Sequence, residues 1–361
     1  MRAANLIALI CGSALSAAAY GQVDTPPSLA HVVTTLMQDS VLSLVTDNQQ
    51  QQIEIEVGPA PGEVRVFGIS GIPDGFPFTG VSAIELITGT AQDYVEFRIF
   101  AADVPPISVN TRAGNSDVKF IYFTPGGNQP VSSDVVITGG ANNDKAAFEV
   151  YNEAASFTAN WTVSHGNGDN EAKASIDSQP STSLIDVNFA TAAGLGQDKA
   201  ELAIISAAEQ LEVSFTPRTG SGNDSAILII DSIDPVDAGV FFDTNLGAGQ
   251  DVAEAIAVLR GGTIAFTGRM LGGAGDDNLK LLIEGDGSSS FVMNGGAGHD
   301  YLDMEYKGRV TGSPRLLGAD GNDFLKIVAT NPSAMTPTLD GGAGYDEAIG
   351  FGRFIRVEKI N

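Results

Sequence analysis

The sequence predicts an all-β fold, a parallel β-solenoid of about 11 coils, and three observations lead to that prediction. Gly-rich turns that end in Asp recur along most of the 361-residue chain. The residues two, four and six places after each Asp are mostly apolar, as in a strand with one buried face. Glycine contributes 43 residues, well above the usual share of ~7%, which suits a chain that turns so often.

Residues 1–19 have the pattern of a secretory signal peptide. Arg2 is the only charge of its basic end, an apolar run opens at Leu6, and residues 17–19 are three alanines that offer a cleavage site. The alternative is a buried helix of the mature protein, which Gly12 would weaken. We therefore expect a protein that is secreted, extracellular or held at the cell surface.

Residues 20–85 are predicted to form an N-terminal cap made of a short helix and strands. A cap is needed because the end of a solenoid exposes unpaired backbone and apolar core. Helical spacing of apolar residues over 29–37 predicts the helix, and apolar runs at 41–46, 53–57 and 64–69 predict the strands. Residues 351–361 are predicted as the C-terminal cap, through Phe351, Phe354, Ile355, Val357 and Ile360.

Residues 86–350 are predicted to be the solenoid repeats. The four clearest turns end at Asp277, Asp300, Asp323 and Asp346, each 23 residues after the one before. Looser versions, 24 to 28 residues apart, end at Asp93, Asp117, Asp144, Asn170, Asp198, Asp224 and Asp251. A fixed period of this length is the signature of a repeat architecture. Each coil therefore reads as a strand, a Gly-Asp turn, a second strand and a variable return loop.

The acidic composition restricts the partners. The chain carries 44 acidic and 19 basic residues, a formal net charge of −25. Such a surface repels polyanions, so nucleic acid is not an expected partner and cations are. After the signal, no stretch reaches the ~18 apolar residues of a membrane-spanning helix, so no membrane span is expected.

The turns at residues 272–280, 295–303 and 341–349 resemble the RTX, or haemolysin-type, calcium-binding repeat, whose consensus is GGxGxDxUx. Residues 318–326 depart from it at Ala319. The resemblance implies a parallel β-roll with Ca²⁺ held between adjacent turns by Asp carboxylates and turn carbonyls. It implies as ligand residues Asp277, Asp300, Asp323 and Asp346 with the turn residues Gly273, Gly275, Gly296, Gly298, Asp320, Gly321, Gly342 and Gly344. That family repeats its motif every nine residues; this chain has one motif per coil, so only one edge can bind.

Electrostatics supports a cation independently of the resemblance. Carboxylates stacked ~5 Å apart repel by ~1 kcal/mol in water and by ~3 kcal/mol at an effective dielectric of 20. A bridging Ca²⁺ would turn that repulsion into attraction. The alternative is that each Asp caps its own turn by accepting backbone N–H groups. We favour calcium in the last four coils and capping in the looser ones, and Asn170 interrupts any continuous row of ions.

The predicted function is a secreted, acidic, calcium-binding β-solenoid without enzymatic activity, a structural or adhesive protein of a surface or matrix whose further partner is a surface polysaccharide. No GxSxG, HExxH or GxxxxGKS motif occurs, and His299 reads as a variable turn residue. The alternative is a carbohydrate-active β-helix enzyme, a polysaccharide lyase or hydrolase. Its site would be a patch of Arg98, Arg112 and Lys119 with Asp93 and Asp117, and Trp161 would be either a sugar-stacking residue or part of the core.

Overall fold

A computed structural model describes residues 32–360, except 59, 70, 71, 125, 181 and 235. Two 15-stranded sheets run along the molecule, and the chain alternates between them so that each coil adds one strand to each sheet. Neighbouring strands of successive coils pair in parallel. The predicted parallel β-solenoid is therefore confirmed, with about ten turns. The predicted signal peptide lies outside the described residues.

The chain begins with strands β1 (Val32–Gln38), β2 (Val41–Thr46), β3 (Gln52–Val57), β4 (Val64–Phe67), β5 (Phe76–Phe78), β6 (Ala83–Ile87), β7 (Asp93–Ile99), β8 (Ile107–Asn110), β9 (Ser116–Phe123) and β10 (Gly127–Thr138). The middle coils contain β11 (Lys145–Asn152), β12 (Ala154–Ser164), β13 (Glu171–Ser178), β14 (Leu184–Ala192), β15 (Lys199–Ser206), β16 (Gln210–Ser221), β17 (Ser225–Ser232), β18 (Asp237–Ala248), β19 (Val252–Val258) and β20 (Ile264–Ala274). The last coils contain β21 (Asn278–Glu284), β22 (Gly287–Ala297), β23 (Tyr301–Lys307), β24 (Val310–Gly312), β25 (Arg315–Asp320), β26 (Phe324–Ala329), β27 (Thr338–Ala343), β28 (Glu347–Ile349), β29 (Arg353–Ile355) and β30 (Lys359–Ile360). A 3₁₀ turn occupies Pro332–Ala334, and among the described residues no helix is long and apolar enough to span a bilayer.

In the first sheet β1 is followed by β2, β6, β8 and then the even-numbered strands to β22, which are followed by β25, β27 and β29. In the second sheet β3 is followed by β7, β9 and then the odd-numbered strands to β23, which are followed by β26, β28 and β30. The core lies between the two sheets. Because side chains alternate between the faces of a strand, every second residue points into it.

Aromatic side chains stack inside the core from coil to coil. The rings of Phe189, Phe215 and Phe242 are register partners whose centroids lie 5.5 Å apart at each step. Trp161 is 1% exposed, stacks on Phe148 and donates a hydrogen bond from its indole nitrogen to Ser133 Oγ at 3.0 Å. Trp161 is therefore a core residue and is not available to stack on a sugar.

The predicted N-terminal helix is wrong over the described part of its range. Strand β1 occupies Val32–Gln38 instead and pairs antiparallel with β2. The run Val32-Val33-Thr34-Thr35 is β-branched, which favours a strand. Asp39 and Ser40 have φ values of 50° and 67°, the left-handed conformation of a tight hairpin turn, and this turn folds β1 back onto β2.

The ends of the solenoid also differ from the predicted boundaries. Parallel stacking begins at β2 and β3, which pair with β6 and β7, so coils extend into the segment predicted as the cap. The antiparallel strands β1, β4 and β5 close that end. At the other end β29 and β30 continue the parallel pairing. Phe351, Phe354 and Val357 pack against the core there, whereas Ile360 is 54% exposed.

Candidate functional site

The Asp of each turn lies at the corner where the chain passes from the first sheet to the second, and we call this edge of the solenoid the acidic corner. Its ladder residues are stacked one per coil and are at most 3% exposed. In chain order they are Asp93, Ser116, Asp144, Asn170, Asp198, Asp224, Asp251, Asp277, Asp300, Asp323 and Asp346. The predicted stacking of the acidic turns on one edge is thus present, with the carboxylates turned inward.

One predicted ladder position is off by a single residue. Asp117 pairs in register with Tyr94 and Lys145, so it faces outward. Ser116 occupies the ladder position, and its backbone N–H donates to Asp144 Oδ1 at 3.1 Å. Because the strand period is two, this shift places Val118 and Phe120 in the core and Lys119, two residues after Asp117, on the outer face.

Each ladder carboxylate caps the neighbouring coil. Oδ1 of Asp300 accepts from the backbone N–H of Asp277 at 2.8 Å, and Asp300 in turn donates its N–H to Asp323 Oδ1 at 2.9 Å. The same bond joins successive ladder residues from Ser116 to Asp346, at 2.7 to 3.1 Å. Glu358 closes the row by accepting from the Asp346 N–H at 2.7 Å. The Oδ1 atoms therefore cap between coils, which the sequence did not predict. The capping within one turn that it predicted for the looser coils is made by Oδ2, at Asp144 and Asp224.

The second carboxylate oxygen divides the ladder into two classes. Oδ2 of Asp144 accepts from the Gly140 N–H at 3.0 Å, and Oδ2 of Asp224 accepts from the Gly220 N–H at 3.2 Å. Within the described chain the remaining Oδ2 atoms are buried without a hydrogen-bond partner, and they belong to Asp93, Asp198, Asp251, Asp277, Asp300, Asp323 and Asp346. A buried carboxylate oxygen without a partner is costly unless a proton or a cation compensates it.

Asn170 shows what surrounds this second position. Its side-chain amide donates to the carbonyl oxygens of Gly166 and Gly168, at 3.1 and 2.9 Å. An Asn in the ladder is therefore satisfied by turn carbonyls because it offers N–H groups where an Asp offers an oxygen. Asp Oδ2 in the other coils is the equivalent of Asn170 Nδ2. At Asn170 this position is lined by carbonyl oxygens.

The predicted turn glycines are the stacked equivalents of Gly166 and Gly168. Gly273, Gly296 and Gly342 lie in the column that starts at Gly166, with Ala319 in the same column. The column that starts at Gly168 contains Gly275, Gly298, Gly321 and Gly344. These seven glycines have φ between 105° and 146°, and a Cβ on any of them would overlap the carbonyl oxygen of the preceding coil. Glycine is therefore required here for close coil stacking, whether or not a metal binds.

Two further carbonyl groups face the unpartnered carboxylates. A Cβ added to Gly272 would overlap both Asp277 Oδ2 and the carbonyl oxygen of Gly295 in the next coil. The same overlap would occur at Gly318, with Asp323 Oδ2 and the Gly341 carbonyl oxygen. The space beside the first glycine of the turn is thus lined by a carboxylate and a carbonyl. The sequence did not predict Gly295 and Gly341 as possible ligands, because their carbonyl oxygens reach this space only through the close stacking of one coil on the next.

Burial raises the pKa of the ladder carboxyls. The pKa of Asp277 rises to about 7, chiefly through loss of hydration, and neighbouring Asp251 and Asp300 raise it further. Burial also raises the pKa of Asp300 and Asp323 to about 6 each. The pKa of Asp346 is raised as well, with burial the largest cause. The corner therefore disfavours bare negative charge at neutral pH.

The donor set of the corner consists of oxygen atoms, as a hard cation requires. Carboxylate and carbonyl oxygens are the ligands that Ca²⁺ takes, usually six to eight of them. Within the described residues no group of three or more His, Cys, Asp or Glu side chains converges as a metal cluster would. Any ion would therefore depend on backbone carbonyls. Asp320 does not join the ladder, because its side chain is exposed and only its carbonyl oxygen accepts, from the Gly298 N–H at 2.8 Å.

An outer column of polar side chains accompanies the acidic ladder. Asp276 Oδ1 accepts from the His299 N–H at 2.8 Å, His299 Nδ1 accepts from the Asn322 N–H at 3.0 Å, and Asn322 Oδ1 accepts from the Tyr345 N–H at 2.8 Å. These bonds run in the opposite sense to the inner ladder, from one coil to the side chain of the coil before it. His299 is therefore an exposed turn residue, as the sequence predicted.

The structure does not assemble the predicted catalytic patch. Asp93 is buried in the ladder, and Arg98 forms ion pairs with Glu54 and Glu96 at 2.8 and 2.6 Å. Lys119 pairs with Glu149 at 3.0 Å on the outer face of the second sheet. Of the charges proposed for an enzyme site, Asp93 is thus in the interior, and Arg98 and Lys119 are held by glutamates.

No protein-family model matches the chain, and searches of curated proteins and of solved structures find no match.

Proposed function

We propose that this protein is an exported β-solenoid whose acidic corner binds Ca²⁺ in the last four coils, and that it serves as a non-enzymatic structural or adhesive protein outside the cell. One observation carries the proposal. Asp277, Asp300, Asp323 and Asp346 each hold a buried carboxylate oxygen without a hydrogen-bond partner, as do Asp93, Asp198 and Asp251. The last four coils are singled out because their turns also resemble the GGxGxDxUx repeat. Beside these oxygens lie turn residues that are the stacked equivalents of Gly166 and Gly168, whose carbonyls accept from the Asn170 amide.

In this proposal the residues divide the work. Oδ1 of each Asp continues to cap the preceding coil, and Oδ2 supplies the charged ligand. The carbonyls of Gly273, Gly275 and their equivalents supply neutral oxygens, together with those of Gly295 and Gly341. Ca²⁺ would neutralise a row of carboxylates that otherwise repel one another. Binding to the folded state alone would stabilise the coils by mass action.

The test is thermal unfolding of the protein near neutral pH, with millimolar Ca²⁺, with Mg²⁺ at the same concentration, and with a chelator. We expect Ca²⁺ to raise the unfolding midpoint well above the chelator value and Mg²⁺ to raise it less, since Mg²⁺ demands a stricter octahedral geometry. Equal midpoints under all three conditions would contradict calcium binding.

Export is tested separately from calcium. Expression of the full chain in a host with a secretory pathway, followed by N-terminal sequencing of the product, should show a mature protein that begins after residue 19. Recovery only of an uncleaved chain inside the cells would contradict the export part of the proposal and leave the calcium part to its own experiment.

A further inference from the structure

The outer face of the first sheet carries a shallow groove that is separate from the acidic corner. Its floor is formed by Gly239, Ala265 and Ser288, which are register partners on β18, β20 and β22. The small side chains of Ala265 and Ser288 leave this row lower than the rows beside it, and the Glu212 carboxylate lies over Gly239. The groove encloses about 520 Å³ and continues into an adjoining space of about 370 Å³ that shares Glu212, Gly239 and Ala265. It therefore runs across the strands, along the solenoid axis.

The charge of the groove has one sign. Asp186 and Glu212 are register partners at one end, and Asp237 lies on one side. Neither Asp186 nor Glu212 forms an ion pair with another described residue, and no Arg, Lys or His lines either space. By contrast, Asp243 on the same face pairs with both Arg218 and Arg269. The groove thus presents uncompensated carboxylates to a ligand.

The opposite wall combines an aromatic ring with hydroxyl groups. Phe241 is 41% exposed and stands between its register partners Ser214 and Thr267. The face of an aromatic ring packs well against the C–H face of a sugar ring, while hydroxyls and carboxylates are partners for sugar hydroxyl and amino groups. This mixture of groups is suited to a carbohydrate.

An extended basic peptide fits the groove less well. The floor strands lie in the interior of the sheet and pair on both sides, so a peptide backbone would find no free strand edge to extend. Successive floor residues lie one coil apart, ~4.8 Å, which is close to the length of one pyranose unit. From Asp186 on β14 to Thr311 on β24 the groove spans five such steps, roughly 24 Å, so a sugar chain could place one ring over each coil.

We propose that this groove binds an extended polysaccharide that carries free amino groups. Asp186 and Glu212 bind its ammonium groups, Phe241 stacks on a ring, and the small side chains of Ala265 and Ser288 admit the chain close to the sheet. The inference goes beyond the calcium-binding solenoid and does not depend on it, because no ladder residue lines the groove. A failure here leaves the calcium melts unaffected, and the converse also holds.

The test is a titration of a fluorescent β-1,4-linked glucosamine oligomer with the full-length protein in mildly acidic buffer. Wild-type protein should bind it, with affinity that falls as salt is added. The double variant D186N/E212Q should bind the oligomer at least about tenfold more weakly than wild type. The control variant E85Q/E153Q makes the same change of charge at exposed positions on other coils, and it should bind within about twofold of wild type. Equal losses in the two variants would show attraction by net charge alone and overturn the groove.

A second variant and two further probes separate the classes of ligand. F241A should weaken glucosamine binding about fivefold and leave the binding of an oligolysine peptide unchanged. An amine-free cello-oligosaccharide should bind more weakly than the glucosamine oligomer. If F241A has no effect and oligolysine alone depends on Asp186 and Glu212, the groove is a peptide site and the proposal is wrong. Release of shorter fragments from a long glucosamine polymer would show that the groove is a catalytic site, and the proposal of a binding site would be wrong. All variants should show the wild-type unfolding midpoint.

Discussion

The coils of Asp144, Asn170 and Asp224 and the last four coils share one corner geometry but differ in how the ladder side chain is satisfied. In the first group a glycine N–H or, for Asn170, two glycine carbonyls complete its hydrogen bonding. In the last four coils the second carboxylate oxygen has no partner in the described chain. The difference lies in the atoms around the Oδ2 position, since the Oδ1 bond to the neighbouring coil is the same in both groups.

This contrast shows that a repeated Asp is not by itself a sign of metal binding. The Oδ1 bond already accounts for a short polar acceptor in every coil, because it satisfies a backbone N–H that would otherwise be buried without a partner. The unpartnered Oδ2 is the feature that calls for a cation or a proton. The natural Asn at position 170 shows that the corner can also close without either.

The largest expected effect tests the feature that both groups share, the glycine columns. Gly298→Ala and Gly222→Ala should each destabilise the protein by about 4 kcal/mol, because each combines a positive φ with overlap of a preceding carbonyl oxygen. Gly80→Ala, at φ 73° but in open space, should cost about 1 kcal/mol. The measurement is denaturant unfolding. A much smaller cost at Gly222 than at Gly298 would show that the two groups do not share one packing.

The next effect concerns the pH dependence of the calcium-free protein. Burial raises the pKa of Asp277 to about 7 and those of Asp300 and Asp323 to about 6, whereas an unfolded Asp titrates near ~3.9. Between these values the folded state binds more protons, so stability is full below about pH 4, falls as the pH rises, and levels off above about pH 7. Thermal melts with a chelator should show this fall. A midpoint that stays flat or rises over that range would contradict it.

Calcium should oppose this loss only where the carboxyls are ionised. We expect Ca²⁺ to raise the midpoint strongly near pH 8 and little near pH 5, where protons already occupy much of the ladder. An equal effect of Ca²⁺ at both pH values would place the bound ions elsewhere on the acidic surface.

The smallest effect separates the two groups of coils directly. Asp300→Asn should raise calcium-free stability near neutral pH by about 1 kcal/mol, because its amide can donate to carbonyls as Asn170 does, and it should reduce the calcium response. Asp144→Asn should lower stability by about 1 kcal/mol, because its amide would face the Gly140 N–H, and should leave the calcium response unchanged. Melts of both variants with and without Ca²⁺ decide the matter. If the two variants behave identically, the two groups of coils do not differ at the Oδ2 position.

Much of the fold was predictable because the same pattern, a Gly-Asp turn followed by alternating apolar residues, recurs in nearly every coil. The alternation after Asp277 and Asp300 predicted inward side chains that the structure confirms, and Glu254, Lys280, Asp303 and Lys326 are stacked with alternating charge. Prediction was weaker where only one copy of a pattern exists. The apolar residues before Gln38 fit a helix as well as a strand, and the turn at Asp39 and Ser40 decided for the strand.

The sequence alone determined which residues face inward and that the acidic turns share one edge, since a period of two within strands and a fixed period between coils leave little choice of register. Only the tertiary structure decided which atoms surround each carboxylate, because the N–H group that donates to Oδ1 comes from a coil 23 to 28 residues away. The groove has the same origin: Asp186, Glu212 and Gly239 are far apart in the chain and become one surface only when the coils stack. Local patterns record the direction of a side chain, whereas its partners depend on the packing of neighbouring coils.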